Sequence, residues 1–191
     1  PGTKKKYKIV AMDFGIKENI LRIMQSLGGD IEVVPPSTTA KEIEAMAPDG
    51  IFLSNGPGDP CVLKDAVSEV KRMMELDLPI FGICLGHQIM SLAYDLKIEK
   101  MPFGHHGANH PVHDLKNNTV FITSQNHNFA VAEVEDRDDI NITHRSLFDG
   151  SIQGIEHSTK PFYSIQCHPE ASPGPKEFEV LFKRFFEDMN A

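Results

Sequence analysis

Short apolar runs alternate with segments of helical periodicity over the first half of the chain. The runs have the length of strands and stand at Tyr7–Asp13, Ile31–Val34, Ile51–Leu53 and Pro79–Ile83. The segments between and after them carry apolar residues three and four positions apart, which predicts helices over Ile16–Leu27, from Ser37 onwards, over Leu63–Glu75 and over Leu85–Tyr94. Strands that alternate with helices in this way predict βαβ units and a mostly parallel sheet flanked by helices.

The rhythm changes after Tyr94, because short apolar runs then follow one another without long helical segments between them. These runs are predicted strands at Lys97–Met101, Thr119–Thr123, Ile140–His144, Ile152–Ile155 and Phe162–Gln166. They predict an antiparallel portion that packs on the parallel sheet or extends it. Helical periodicity over Lys176–Met189 predicts a final helix. The expected fold class is therefore α/β with an additional antiparallel portion.

Composition bounds the possible functions without choosing among them. A chain of 191 residues with 40% hydrophobic residues is expected to form a single domain, with residues 1–6 a linker or a cloning remnant. A net charge of −8 argues against nucleic acid as the main partner. No apolar run reaches the roughly 20 residues that would cross a membrane. Cys61, Cys84 and Cys167 form no closely spaced framework, so we expect a cytoplasmic protein with reduced thiols.

The segment from Gly82 to Gly86 (Gly-Ile-Cys-Leu-Gly) lies where a predicted strand meets a predicted helix. It has the form of a nucleophile elbow, in which small residues allow a sharp turn and the central side chain projects from it. Cys84 is therefore a candidate nucleophile. The alternative is a structural cysteine at a tight turn, since free cysteines are among the most buried residues.

A histidine and a carboxylate lie two positions apart just after the Phe162–Gln166 strand. Residues two apart on an extended backbone project to the same side, so Glu170 is placed to orient His168 and to stabilise its protonated form. With Cys84 they would form a set of nucleophile, base and orienter, in which the imidazole makes thiolate available near neutral pH. A surface turn with no catalytic role is the alternative, because spatial proximity to Cys84 is not visible in the sequence.

Three polar segments are further candidates. The Gly-Pro-Gly turn within Ser54–Asp59 can bring backbone N–H groups close to a ligand. One of these groups could form an oxyanion hole together with the N–H of Leu85. The alternative is an ordinary turn. The four histidines of His105–His113 indicate either a metal site or a hydrogen-bonded loop, and the lack of Cys or carboxylate ligands at a familiar spacing favours the loop. Ser124–Phe129 is predicted to be a polar loop that contacts a small ligand or is a plain turn.

The order of these motifs resembles that of the class I (triad) glutamine amidotransferase family: Gly-Pro-Gly, then Gly-Ile-Cys-Leu-Gly-His-Gln, then His-Pro-Glu. Within that family, Tyr7–Met189 looks like the carboxyl-terminal half of the carbamoyl-phosphate synthetase small subunit. This closer resemblance rests on the runs Phe103–Val112, Ser124–His127, Ser146–Gly150 and Pro169–Pro175. The amino-terminal half of that subunit is not matched.

The resemblance implies a glutaminase that hydrolyses the side-chain amide of L-glutamine through a thioester on Cys84. His168 would be base and acid, and Glu170 would orient it. The N–H groups of Gly56 and Leu85 would form the oxyanion hole. The substrate-binding residues that the resemblance implies are Gly56, Gly58, Leu85, Gln88, Asn126, Asn128 and Phe129. No metal is expected in the site.

Expectations about cofactors and partners come from the same resemblance. This domain needs no cofactor, and ATP and metal are expected only in a partner synthetase that uses the ammonia to form carbamoyl phosphate. The partner would be the carbamoyl-phosphate synthetase large subunit or a fused synthetase domain. The small subunit's amino-terminal half would add a serine contact to glutamine. Nucleic acid and membranes are not expected as partners. A cysteine hydrolase or peptidase of the same fold and a non-enzymatic regulatory domain are the alternatives.

Two positions depart from the resemblance. Asn128 stands where close relatives usually have glycine, and strain is expected there if the backbone φ is positive. Cys167 stands beside His168, where relatives often have glycine or an apolar residue, and it offers a second thiol near Cys84. Neither position belongs to the triad, so we expect a site competent for chemistry.

Overall fold

The computed structural model describes residues 6–135, 137–171 and 179–191. Its strands are β1 (Tyr7–Met12), β2 (Gly29–Val34), β3 (Gly50–Leu53), β4 (Ile80–Ile83), β5 (Ile98–Asp114), β6 (Thr119–Val131), β7 (Ile140–Ser146), β8 (Ile152–His157) and β9 (Phe162–Ile165). Its helices are α1 (Glu18–Ser26), α2 (Ala40–Met46), α3 (Lys64–Met73), α4 (Leu85–Ala93) and α5 (Glu179–Asp188), with short 3₁₀ helices at Pro60–Val62 and Pro169–Ala171. Within these ranges, no helix combines the length and the apolar character needed to cross a membrane.

The described strands form one sheet in the order β2-β1-β3-β4-β9-β8-β6-β5-β7. The first five of these run parallel to one another, which confirms the predicted parallel sheet. Strand β9 was predicted in the antiparallel portion, and that prediction is wrong in part, because β9 pairs parallel with β4 and antiparallel only with β8. Every residue of β3, β4 and β9 is buried, because both faces of the parallel portion are covered. Helix α2 begins later than predicted, at Ala40. Its N-cap is Thr39, which forms a capping box with Glu42. Residues 176–178 of the predicted final helix lie outside the described residues.

The antiparallel portion is confirmed, but two of its strands are longer than predicted. Strand β5 has 17 residues and β6 has 13, so His105–His113 and Ser124–Phe129, which we predicted as loops, are paired strands. Their polar composition conceals the pairing, because side chains of β6 such as Asn126 and Asn128 are exposed to solvent. The register between the two strands also shifts twice, which breaks the simple alternation that predicts a strand.

Two apolar layers lie on the two faces of the sheet. One layer packs α2, α3 and α4 against the sheet and includes Val10 and Met12 of β1. The other packs α1 and α5 against the opposite face and includes Ile9 and Ala11. This division follows from the strand itself, since successive side chains point to opposite faces. In the second layer Phe81 stacks on the ring of Tyr163 at a centroid distance of 4.6 Å.

The carboxyl ends of the parallel strands meet at one edge of the sheet. Ser54 follows β3, Cys84 follows β4 and Gln166 follows β9. Ligands of open α/β sheets bind beyond this edge. The fold therefore brings three of the candidate segments to one place.

Replacing Phe185 by alanine should lower the free energy of unfolding by about 3–5 kcal/mol, because a large buried side chain would leave a cavity. Phe185 has no exposed surface and lies in the layer between α5 and the sheet. Val180→Ala on the same helix is the matched control, since Val180 is 61% exposed. Urea unfolding of both variants measures the difference. Equal losses in the two variants would show that α5 does not pack as described.

Candidate active site

Cys84 lies at the junction of β4 and α4 with a backbone φ of 53°. This conformation is strained for a residue that has a side chain, so the surrounding structure must hold it. A Cβ on Gly86 would lie 2.1 Å from the carbonyl oxygen of Leu53, and a Cβ on Gly82 would lie 2.8 Å from that of Gly86. Only glycine fits at both positions. The segment therefore has the geometry of the predicted elbow.

His168 and Glu170 follow β9 and are both almost completely buried. His168 Nδ1 lies 2.9 Å from Glu170 Oε1. The backbone that joins them is not extended as predicted, because Pro169–Ala171 is a 3₁₀ helix. The turn, rather than the alternation of a strand, brings the carboxylate to the imidazole. Asn19 Nδ2 donates to the backbone oxygen of Glu170 at 2.7 Å, which ties the pair to α1.

Opposing effects set the protonation of this pair. Burial by itself disfavours the imidazolium, but hydrogen bonds to the side chains of Cys84 and Glu170, together with their charges, raise the pKa of His168 to about 9. Burial also disfavours the carboxylate of Glu170, and the hydrogen bond and charge of His168 outweigh it, so the pKa of Glu170 is lowered. The site therefore favours an imidazolium between a carboxylate and the Cys84 sulfur near neutral pH.

Lys17 belongs to the site, and no sequence motif pointed to it. Its Nζ lies 3.2 Å from Glu170 Oε1 and 3.4 Å from His168 Nδ1. Lys17 is 151 positions from His168 along the chain. Its charge contributes to the lowered pKa of Glu170. Only the fold brings this cation to the triad.

A cavity of about 520 Å³ opens beside Cys84. The predicted site residues that line it are Cys84, His168, Gly56, Gly58, Gln88, Asn126, Asn128 and Phe129. Glu170 and Leu85 are not part of the lining. Glu170 is bonded to His168 Nδ1, and Leu85 is the first residue of α4, where the backbone N–H has no acceptor within the helix. The structure thus gathers the predicted residues, and their individual roles remain predictions.

The loop after β3 brings backbone rather than side chains to the cavity. A Cβ on Gly56 would lie 2.0 Å from the carbonyl oxygen of Phe14, so a side chain does not fit there. Gly58 has a φ of +104°, which strongly favours glycine. The carbonyl oxygen of Ser54 accepts from the N–H of Gly86 at 3.0 Å, which joins this loop to α4. The loop therefore can present N–H groups to a ligand beside the elbow.

Gln88 and the two asparagines are held by other groups of the protein. Gln88 Nε2 donates to the carbonyl oxygen of Phe129 at 2.9 Å. Asn126 and Asn128 each place Oδ1 3.0 Å from a ring nitrogen of His106. The backbone φ of Asn128 is not positive, so the conditional expectation of strain at that position does not apply.

The histidines of β5 take part in hydrogen bonds. His105 Nε2 lies 2.8 Å from Asp149 Oδ2, and His113 Nε2 lies 2.9 Å from Asn118 Oδ1. In the described ranges, no three His, Cys, Asp or Glu side chains are placed to share a metal ion. Hydrogen bonds therefore engage the side chains of His105, His106 and His113, and the segment is a strand and not a loop.

Cys167 is fully buried next to His168. Burial first, and then the charges of Glu170 and Cys84, raise the pKa of its thiol well above the usual value. Cys167 therefore stays a neutral thiol at physiological pH. Since thiolate is the reactive form, we do not expect Cys167 to compete with Cys84 as a nucleophile.

Residues 10–188 match the family described as Glutamine amidotransferase class-I, and the chain belongs to that family. A solved structure from Thermoplasma acidophilum, described as a GMP synthase protein, shares the fold. Its TM-score is 0.84 at 24% identity, over 98% of this chain and 96% of that chain.

Curated relatives are more similar in sequence. The carbamoyl phosphate synthase small chain of Polynucleobacter asymbioticus is 55% identical over 99% of this chain and 48% of its own length. The small chain of Xylella fastidiosa is 54% identical over 97% of this chain and 50% of its own length. That of Pasteurella multocida is 53% identical over 98% of this chain and 49% of its own length. The chain spans about half the length of the curated relatives that it matches.

NMR titration of labelled histidine should show a midpoint of about 9 for the His168 ring. This pKa lies above the usual 6.5, so protonation of His168 stabilises the folded state. That contribution to the free energy of unfolding is fully present below about pH 6.5 and is lost as the pH rises through about 9. Glu170→Gln should lower the midpoint, since it removes the carboxylate that favours the imidazolium. His168→Gln identifies the resonance among the nine histidines. A wild-type midpoint near 6.5 would contradict the described contacts.

Proposed function

We propose that this chain hydrolyses the side-chain amide of L-glutamine to glutamate and ammonia. The observation that carries the proposal is the position of Cys84 on a strained elbow, in contact with a buried His168–Glu170 pair, at the wall of a cavity. Membership of the class I glutamine amidotransferase family supports the choice of glutamine as substrate.

The reaction would proceed through a covalent intermediate on Cys84. The thiolate attacks the carboxamide carbon, and the N–H groups of Gly56 and Leu85 stabilise the oxyanion that forms. His168, protonated near neutral pH, gives its proton to the departing ammonia. A γ-glutamyl thioester is left on the sulfur. Water, deprotonated by His168, then attacks the thioester and releases glutamate and the thiolate.

Recognition of the amino-acid end of glutamine would rest on polar groups around the cavity. Gln88, Asn126 and the backbone at Asn128 and Phe129 line the wall that β6 and α4 form. Gly58 contributes backbone from the loop after β3. Lys17 also lines the cavity, and its charge adds to the effect of His168 in lowering the pKa of Glu170. The chemistry needs no metal or organic cofactor in this domain.

We further propose that the ammonia passes to a partner synthetase for the formation of carbamoyl phosphate. The names of the curated relatives support this proposal. The partner would be a large subunit or a fused synthetase domain, which would bind ATP and metal. Free ammonia is largely protonated near neutral pH and is then no nucleophile, so direct delivery would preserve its reactivity. The unpaired thiols of Cys61, Cys84 and Cys167 are consistent with a cytoplasmic location.

Cys84→Ala should reduce glutamine hydrolysis by at least about 10³-fold, because it removes the nucleophile. Cys167→Ala is the matched control and should keep activity, since its thiol is buried and neutral. Glutamate release and covalent labelling by a diazoketone analogue of glutamine measure both. Cleavage of a peptide panel without glutamine turnover would contradict the proposal in favour of a peptidase. Labelling that persists in Cys84→Ala would contradict the assigned nucleophile.

Addition of the partner synthetase should raise kcat/KM for glutamine by about tenfold or more, because the partner would hold the cavity in the geometry that the reaction needs. The expectation rests on the proposed delivery of ammonia to such a partner. Steady-state kinetics with and without the synthetase, with ammonia release measured in parallel, tests it. An unchanged kcat/KM would speak against functional coupling to such a partner.

A further inference from the structure

Gln166 has no exposed surface, and its side chain lies between two residues of the proposed site. Its Nε2 lies 3.7 Å from Cys84 Sγ, and its Oε1 accepts from Gln88 Nε2 at 3.0 Å. Its backbone N–H donates to the carbonyl oxygen of Gln153 at 2.8 Å, which fixes the residue to β8. Both ends of this buried amide are thus engaged with groups that the reaction would use.

A backbone carbonyl determines which way these amides point. The oxygen of Phe129 can only accept, so the Gln88 group that lies 2.9 Å from it must be the NH₂. The same nitrogen lies 3.0 Å from Gln166, which must therefore present its oxygen to Gln88. The NH₂ of Gln166 then faces the sulfur of Cys84. The reverse orientation would set NH₂ against NH₂ and oxygen against sulfur, and buried polar groups left unsatisfied in this way are costly.

Two consequences for the chemistry follow from this orientation. An N–H group directed at a sulfur stabilises the thiolate over the thiol, because hydrogen bonds to ionised groups are the stronger ones. Since the nitrogen of Gln88 is engaged with Phe129 and Gln166, only its Oε1 is left to face the cavity that Gln88 lines. That oxygen can accept a hydrogen bond from the ammonium group of an amino acid.

We infer that Gln166 is a positioning residue for this site, which donates to the Cys84 sulfur and holds Gln88 with its oxygen toward the substrate's ammonium group. The second half of the inference rests on the proposed hydrolysis of glutamine. The first half concerns the thiol alone and applies to any reaction of Cys84.

Gln166→Met keeps the length of the side chain and removes both hydrogen bonds. Alkylation of Cys84 by iodoacetamide at about pH 7, followed on the Cys84 peptide by mass spectrometry, should slow by about tenfold and recover at higher pH. The KM for glutamine should rise by about tenfold, since the Gln88 amide is no longer held in one orientation. A purely structural loss would lower the melting temperature and would not shift the pH profile.

Gln166→Glu keeps the hydrogen bond with Gln88 and removes the one to the Cys84 sulfur, so it separates the two effects. An oxygen still accepts from Gln88, so KM should rise less than in Gln166→Met, while a second oxygen replaces the N–H at the sulfur and alkylation should still slow. Gln153→Met is the matched control, because Gln153 is also fully buried and its side-chain Oε1 accepts from Gln125 at 2.8 Å. The substitution keeps the backbone oxygen of residue 153, which accepts from the N–H of Gln166. Gln153→Met should alkylate at the wild-type rate.

Wild-type alkylation rates in both Gln166 variants, or an equal loss in Gln153→Met, would overturn the inference. Gln166→Glu keeps the test decisive if Gln166→Met does not fold. The proposed function fails in a different way. If the Gln166 variants alkylate slowly as expected but the wild-type chain releases no glutamate from glutamine, the proposed function is overturned. The two failures are therefore distinguishable.

Discussion

The close approach of three backbone segments around Cys84 is the constraint on which the site depends. Gly82 and Gly86 leave no side chains between β4, α4 and the end of β3, so the turn can adopt a positive φ at Cys84. A non-glycine residue in such a conformation costs about 1–3 kcal/mol, and the buried parallel strands on either side hold the turn against that strain. A side chain at Gly86 would push α4 away from β3, and one at Gly82 would push α4 away from β4. The loop that contains Gly56 would then no longer be tied to the elbow.

Burial acts on the ionisable groups of the site in two ways. It disfavours the ionised forms of both His168 and Glu170, but each of these groups is the other's hydrogen-bonded counter-ion, and Lys17 adds a second cation beside the same carboxylate. Such contacts are stronger in a buried site than in water, because the effective dielectric constant is lower. Among the described residues, Cys167 has no such counter-ion. Burial and the charges of Glu170 and Cys84 all raise the pKa of its thiol, which stays neutral. Burial alone therefore does not make a group of this site ionised, and hydrogen-bonded partners of opposite charge are needed.

The antiparallel portion contributes to the site as well as to the sheet. Strand β6 supplies Asn126, Asn128 and Phe129 to the cavity, and the carbonyl oxygen of Phe129 sets the direction of the Gln88 amide. Strand β5 pairs with β6 and places His106 against both asparagines. The parallel portion therefore carries the proposed nucleophile, and the hairpin of β5 and β6 carries much of the wall around it. This division explains why the polar residues of the hairpin resemble loop residues in the sequence.

The sequence by itself determined the order of strands and helices, the parallel portion and the elbow at Cys84, because periodicity and glycine spacing are local signals. The motif order also identified the family, which the comparisons confirm. Only the tertiary structure decided the extent of β5 and β6, since their polar residues are satisfied by pairing across a hairpin and not by a local pattern. It alone brought Lys17 to His168 across 151 positions and Gln166 to Cys84 across 82. Contacts between such distant residues form when parallel strands align their carboxyl ends, and they leave no periodic signal in the chain.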